Sequence, residues 1–146
     1  MELQIKTFKE LSSRELYEIL RLRSEVFIVE QQGCYQELDG IDYDSTHIFF
    51  TEQNRVTGCI RVFAKTDEKG TCQLGRLVSA RRLQGTGRKL MATAEEIARR
   101  DYGAKRIFLT GRRSARGFYE KCGYQAQVPP EYNEENAPYF LFRKDL

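Results

Sequence analysis

The sequence predicts an α/β fold in one domain, with a mixed, mainly antiparallel and twisted central sheet flanked by helices. Three observations carry that expectation. At 146 residues the chain is the size of one compact domain and short for two. Two-residue alternation rich in β-branched and aromatic side chains fills much of residues 47–79, the mark of paired strands. A helical period then follows at Leu90, Met91, Ala94, Ile97 and Ala98, so a long helix joins one strand to a later one, as a parallel crossover requires.

From the N-terminus, Ser12 or Ser13 can cap a first helix, Glu15 completes a capping box with Ser12, and Leu16, Ile19, Leu20, Val26 and Phe27 recur at helical spacing. The apolar run 26–29 continues that helix or starts a second one, before Gly33, Gly40 and a group of carboxylates mark a loop. Residues 47–52 and 56–64 read as a hairpin turning at Gln53 and Asn54, and 71–79 as a third strand with Leu74, Arg76 and Val78 on one side. The long helix closes near Tyr102 and Gly103. A buried-type strand at 106–110, a helix at 114–122 closed by Gly123, and strands at 124–128 and 139–143 complete the chain. The expected order is helix, three strands, helix, strand, helix, two strands.

Composition narrows the function. Hydrophobic residues at 40% and charged residues at 31% are ordinary for a globular protein and exclude a disordered or fibrous one. No apolar run approaches the roughly 18 to 20 residues of a membrane span, and the first nine residues lack the apolar core of a signal peptide. A cytoplasmic protein without a membrane partner is expected. Four widely spaced cysteines without a Cys-x-x-Cys pair, and a single histidine, point to free thiols and no metal site.

The net charge is only +3, but residues 81–116 hold eleven Lys and Arg against three acids, while residues 25–54 hold seven acids and no Lys or Arg. One side suits a polyanion and the other a cation, unless both are simply solvated faces. The equally strong acidic stretch and the lack of an RNA-binding signature argue against nucleic acid.

Between the strand ending at Ser79 and the helix starting near Gly85, backbone N–H groups without intrahelical acceptors carry the positive end of the helix dipole. Gly85 and Gly87 allow close backbone approach, and Arg82, Arg88 and Lys89 add positive charge, so a pyrophosphate fits there. Turn geometry alone also explains such glycines. Leu90 stands where a dinucleotide fingerprint needs its third glycine, and the Gly-Lys-Ser/Thr of a P-loop is missing.

Leu77-Val78-Ser79 followed by Arg82-x-x-Gly85-x-Gly87 resembles the acetyl-CoA motif of the GNAT acyltransferases, and the stretch from Gly117 to Tyr124 is similar to their second motif. Val26 to Gln31 with Tyr35 to Asp42, and Tyr132-x-Glu134 with Pro138-Tyr139, resemble the ElaA-like branch, so the likeness spans nearly the whole chain. The chain departs from the branch at Gly33-Cys34-Tyr35, where Cys-Pro-Tyr is usual, and at Pro138-Tyr139, where Pro-His is. Arg112 stands where many GNAT members carry Asn.

The resemblance implies a GNAT-type sheet and transfer of an acetyl or other acyl group from acetyl-CoA, a co-substrate, to a primary amine by direct attack in a ternary complex. It implies that Leu77 and Val78 line the acyl end, with the Val78 N–H on the acyl carbonyl. Arg82, Gln84, Gly85, Thr86, Gly87, Arg88 and Lys89 would hold the pyrophosphate, and Phe118 would flank the coenzyme. Arg112, with Arg113 and Arg116 nearby, would reach the 3′-phosphate unless these arginines are solvated. Tyr119 matches the tyrosine that protonates the leaving thiolate; a phenol near 10 stays protonated above a thiol near 8.5, though Tyr119 also reads as core.

Glu30, at the end of an apolar run where partial burial would raise its pKa, is the first candidate base and His47 the second. A surface-paired carboxylate and a structural histidine are the plain alternatives. Cys122 has no histidine neighbour in sequence and reads as no nucleophile. The acidic and aromatic surround suggests a cationic small-molecule or peptide amine as acceptor, and a homodimer is compatible with the sequence. The competing reading is a non-catalytic acyl-CoA sensor or partner-docking module of the same fold.

Overall fold

Alternating apolar residues commit the middle of the chain to strands, and the computed structural model, which describes residues 1–80 and 85–146, pairs them into one sheet. The strands are β1 (Glu2–Thr7), β2 (Thr46–Glu52), β3 (Arg55–Ala64), β4 (Thr71–Ser79), β5 (Arg106–Arg112), β6 (Gln125–Gln127) and β7 (Tyr139–Asp145). Their order across the sheet is β1-β2-β3-β4-β5-β7-β6. Among the described residues only β4 and β5 pair in parallel, joined by the helix α2 (Thr86–Tyr102). Helices α1 (Ser13–Arg23) and α3 (Arg116–Lys121) complete the layers.

The first strand is a correction to the expected order. Leu3 and Ile5 oppose Phe50 and Ile48 of β2, yet polar Glu2, Gln4 and Lys6 alternate with them and Ile5 is 41% exposed. A short, charged edge strand carries little apolar signal.

Ser12 accepts the Glu15 N–H at 3.0 Å while Glu15 accepts the Ser12 N–H at 2.8 Å, so α1 starts with the expected reciprocal cap. It runs without a break into a π-helical stretch, Ser24–Glu30, a geometry that widens a helix and is frequent at functional sites. At the far end of α2, Gly103 adopts φ 63° and the Ala104 N–H reaches the Ala98 carbonyl at 3.0 Å, a left-handed closure that glycine provides without a Cβ penalty.

The sheet is covered on both faces. Under α2 lie Ile48, Ile60, Val62, Leu74, Ile107, Leu109, Phe140 and Phe142; under α1 lie Phe49, Val56, Cys59 and Val78. Each such side chain, fully buried, contributes roughly 1.5–3 kcal/mol. Leu74 and Val78 therefore sit on opposite faces, contrary to the expected alternation. The cause is a bulge: Arg61 pairs with Gly75 and Cys59 with Val78, so β4 spends an extra residue there, and Arg76 takes φ 56°.

Candidate active site

The bulge opens the sheet. Strand β5 pairs with β7 along its whole length, from Arg106 to Arg112, but with β4 only from Arg106 to Leu109, opposite Thr71 to Leu74. Past that point the two parallel strands part. A cavity of about 420 Å³ lies between them, walled by Gly75, Arg76 and Leu77 on one side and by Thr110, Gly111 and Arg112 on the other.

Of the two residues expected at the acyl end, the structure brings Leu77 to the cavity and not Val78. The Val78 side chain packs with Ile19, Leu22 and Cys59 under α1. Its backbone faces away as well. Ala80 donates its N–H to the Thr57 carbonyl at 2.7 Å and Val78 is paired with Cys59, and successive strand residues turn their N–H groups to opposite edges. Val78 thus shares the β3 edge with Ala80, and Leu77 turns toward the gap.

Tyr119 reaches the same cavity from α3. Its ring lies 4.9 Å from that of Phe142 and 5.3 Å from that of Phe118. Gly111 makes room for it: a Cβ there would stand 2.6 Å from Tyr119 Cε2 and 2.9 Å from Phe142 Cε2. Burial pushes the phenol up to about 12, so it remains protonated at any physiological pH, and its hydroxyl makes no hydrogen bond with the described residues. Phe118 packs toward the first turn of α2, where a Cβ on Gly87 would be 3.3 Å from Phe118 Cζ. Gly87 therefore has a packing reason besides ligand approach.

Of the expected pyrophosphate contacts, Arg82 and Gln84 lie outside the described residues. Gly85 begins α2 at φ 73°, and Arg88 and Lys89 are exposed on its first turn, which carries no acid. Thr86 is buried, 4% exposed, and its hydroxyl has no partner among the described residues, which leaves its backbone N–H as the group it can offer. Arg112 is exposed at the end of β5 and lines the cavity. Arg113 and Arg116, expected beside it as phosphate contacts, are engaged elsewhere. Arg113 donates to the carbonyls of Glu134 and Ala137 at 2.8 and 3.1 Å, and Arg116 pairs with Glu120 and Glu134, so both hold the loop before β7.

Neither expected base lines the cavity. Glu30 is exposed at the end of the π-helical stretch, so the partial burial anticipated for it is missing. His47 is 2% exposed on β2 and donates from Nε2 to the Asp42 carbonyl at 2.9 Å. Burial pushes its imidazole below the usual range, leaving a neutral structural group. Burial raises the Cys122 thiol, against a thiolate nucleophile there.

Glu37, Asp39 and Asp42 of the acidic loop are held by two buried arginines and one half-buried one, a feature the sequence reading missed. Arg23, 1% exposed, pairs with Glu37 at 2.7 Å and Asp42 at 2.8 Å. Arg61 binds Asp39 at 2.7 Å and Asp42 at 3.1 Å, and Arg76 binds Glu37 at 2.9 Å and Asp39 at 3.2 Å. Burial opposes the charge of Asp39, but hydrogen bonds from Arg61 and the Ile41 N–H outweigh it and hold the carboxyl at about 2. The available signal was Arg61 itself, a charged residue inside the apolar run Cys59-Ile60-Arg61-Val62-Phe63. A buried arginine needs carboxylates, and the acidic loop concentrates four of them at Glu37, Asp39, Asp42 and Asp44.

Comparison with known proteins agrees with this architecture. Residues 13–124 match the acetyltransferase (GNAT) family. The crystal structure of Escherichia coli ElaA is similar at a TM-score of 0.87 and 28% identity, with 99% of each chain covered. An acyl-CoA N-acyltransferase from Pseudomonas aeruginosa is similar at a TM-score of 0.85 and 31% identity over 98% of each chain. The PaiA N-acetyltransferase of Thermoplasma acidophilum, solved in complex with coenzyme A, shares the fold at a TM-score of 0.71 and 17% identity over 100% of each chain.

Proposed function

The chain belongs to the GNAT acetyltransferase family, and from that premise we propose that it transfers an acetyl group from acetyl-CoA to a primary amine by direct attack within a ternary complex. The observation that carries this reading is the parting of β4 and β5 beyond Leu74 and Leu109, with Tyr119 and the Leu77 edge facing the gap. An extended thioester arm laid in that gap meets strand edges that lack a ladder partner there, so its amides can replace the missing strand pairing.

The donor end follows from the same frame. The pyrophosphate would rest at the start of α2, on backbone N–H groups near Gly85 and on Arg88 and Lys89, with Arg82 and Gln84 adjoining in sequence. Arg112, at the mouth of the gap, would take a coenzyme phosphate. The Leu77 N–H takes the part expected of Val78, as donor to the thioester oxygen.

In the reaction the amine nitrogen attacks the thioester carbon, the C–S bond breaks, and the sulfur leaves as thiolate. The amine gives its surplus proton to water, and the thiolate recovers one from solvent. A phenol held at about 12 is a poor proton source for a thiolate near 8.5. Tyr119 therefore donates a hydrogen bond that stabilises the developing sulfur charge rather than handing its proton over.

Tyr119→Phe tests this. Turnover, followed as thiol release, should fall on the order of 10²-fold, the lower end of what a preorganised hydrogen-bond donor to a developing charge supplies, while coenzyme affinity stays within about twofold of the parent value. Equal turnover removes Tyr119 from the chemistry. Coenzyme binding without thiol release for any amine would leave a binding module instead of an enzyme.

A further inference from the structure

The acyl-transfer reading leaves the acceptor open, and the inference here rests on that reading and names the acceptor. Phe27, Gln31 and Tyr35 also line the cavity. The titratable or charged groups facing an amine in it are Tyr35 from the loop after α1, Arg76 from β4, Arg112 from β5 and Tyr119 from α3. Among the described residues no carboxylate or imidazole lines it, and residues 81–84 contain neither. Glu37, which touches Arg76, already accepts hydrogen bonds from both Arg23 and Arg76 on Oε1. The cavity thus offers no base to strip an ammonium, and its two guanidinium groups disfavour one.

An acceptor must then be largely neutral in water before it enters. At pH 7.5 an α-amino group of pKa about 8 is roughly one-quarter free base, whereas a lysine side chain near 10.4 is about 0.1% free base, a difference of about 200-fold. This reverses the expectation of a cationic amine drawn by an acidic surround, because Glu37, Asp39 and Asp42 of that surround are neutralised by Arg23, Arg61 and Arg76.

What is attached to the amine follows from a second depression. Tyr35, held with its ring 5.4 Å from the Arg76 guanidinium, lines both the cavity and an adjoining groove of about 800 Å³. Tyr17 and Leu20 of α1, Ile28 and Val29 of the π-helical stretch, and Leu38 form its apolar surface. Tyr17 and Val29 are each 72% exposed and Leu38 is 55% exposed, so apolar area stands ready to be covered. A polyamine gains nothing from such a surface, and an extended chain with apolar side chains does. We propose that the acceptor is the α-amino group of a peptide whose first side chains are apolar and lie along this groove, past Tyr35.

The test is thiol release from acetyl-CoA with three acceptors at pH 7.5 and pH 10. They are a lysine-free hexapeptide beginning Ala-Leu-Val with a free α-amine, an N-formylated hexapeptide carrying one lysine, and spermidine. The free α-amine should be used at least about tenfold faster at pH 7.5, part of the 200-fold free-base advantage being offset by the greater nucleophilicity of the more basic amines, and the gap should narrow to a few-fold at pH 10. Val29→Glu combined with Leu38→Glu should raise KM for the hexapeptide at least about fivefold, with kcat within about twofold. Lysine peptide or spermidine used equally well or better at pH 7.5, or an unchanged KM in the double variant, overturns the proposal and leaves the acyl-transfer reading standing. No thiol release with any acceptor at either pH overturns the reading itself.

Discussion

Tyr119 faces the cavity because Gly111, on the neighbouring strand, has no side chain. Gly111→Ala would place a methyl group inside the van der Waals envelope of two rings, and such overpacking costs about 1–3 kcal/mol. Urea unfolding should show that loss, and thiol release should fall with it because the displaced ring carries the hydroxyl; parent-like stability would mean that the ring sits elsewhere. His47 behaves in the opposite way. Its Nε2 is spent on the Asp42 carbonyl, so His47→Gln should lower stability by about 1 kcal/mol without altering the pH profile of turnover. A shift of that profile would return the imidazole to the mechanism. Tyr119 was legible in the sequence because its neighbours form a motif. The true surroundings of Glu30 and His47 were not, because burial depends on which distant elements cover a residue.

The element that shapes the site is the bulge in β4, and it was illegible for a physical reason. Leu74, Arg76 and Val78 keep a two-residue spacing in the sequence, and nothing in residue type marks the extra residue that turns Val78 to the other face. Arg76 is held at φ 56°, a left-handed conformation costing a non-glycine residue of order 1 kcal/mol, while its side chain grips Glu37 and Asp39. Arg76→Gly should therefore show a split result: the backbone relaxes, the loop loses a tether, and turnover falls more than stability does. A melting temperature several degrees lower with turnover intact would mean that the tether serves only the fold. The hairpin, α1 with its cap and α2 with its glycine closure were legible, since each carries local chemistry for its own start or stop. The edge strand β1 and the π-helical widening after Arg23 carry none, and depend on partners far away in sequence.

Across the whole molecule, charge is organised by burial more than by exposed halves. The network of Arg23, Arg61 and Arg76 with Glu37, Asp39 and Asp42 ties α1, β3 and β4 to the acidic loop. Replacing Arg23 by Ala takes from each of the buried carboxylates Glu37 and Asp42 one of its two guanidinium partners, a change that costs about 3 kcal/mol and should be read directly in the urea midpoint. Asp39 has its folded pKa depressed to about 2. Its stabilising contribution is therefore complete above its ordinary pKa of about 3.9 and is lost as pH falls through 2. Acid titration followed by circular dichroism should show stability declining in that window, and Asp39→Asn should flatten the decline. One more consequence lies in the four residue pairs that join β4 to β5. Among the described residues they are the only ladder across the middle of the sheet, so β1–β4 and β5–β7 meet along a narrow seam. A coenzyme arm lying in the gap would bridge both sides of that seam, and the amides of β5 would then exchange with solvent more slowly in its presence.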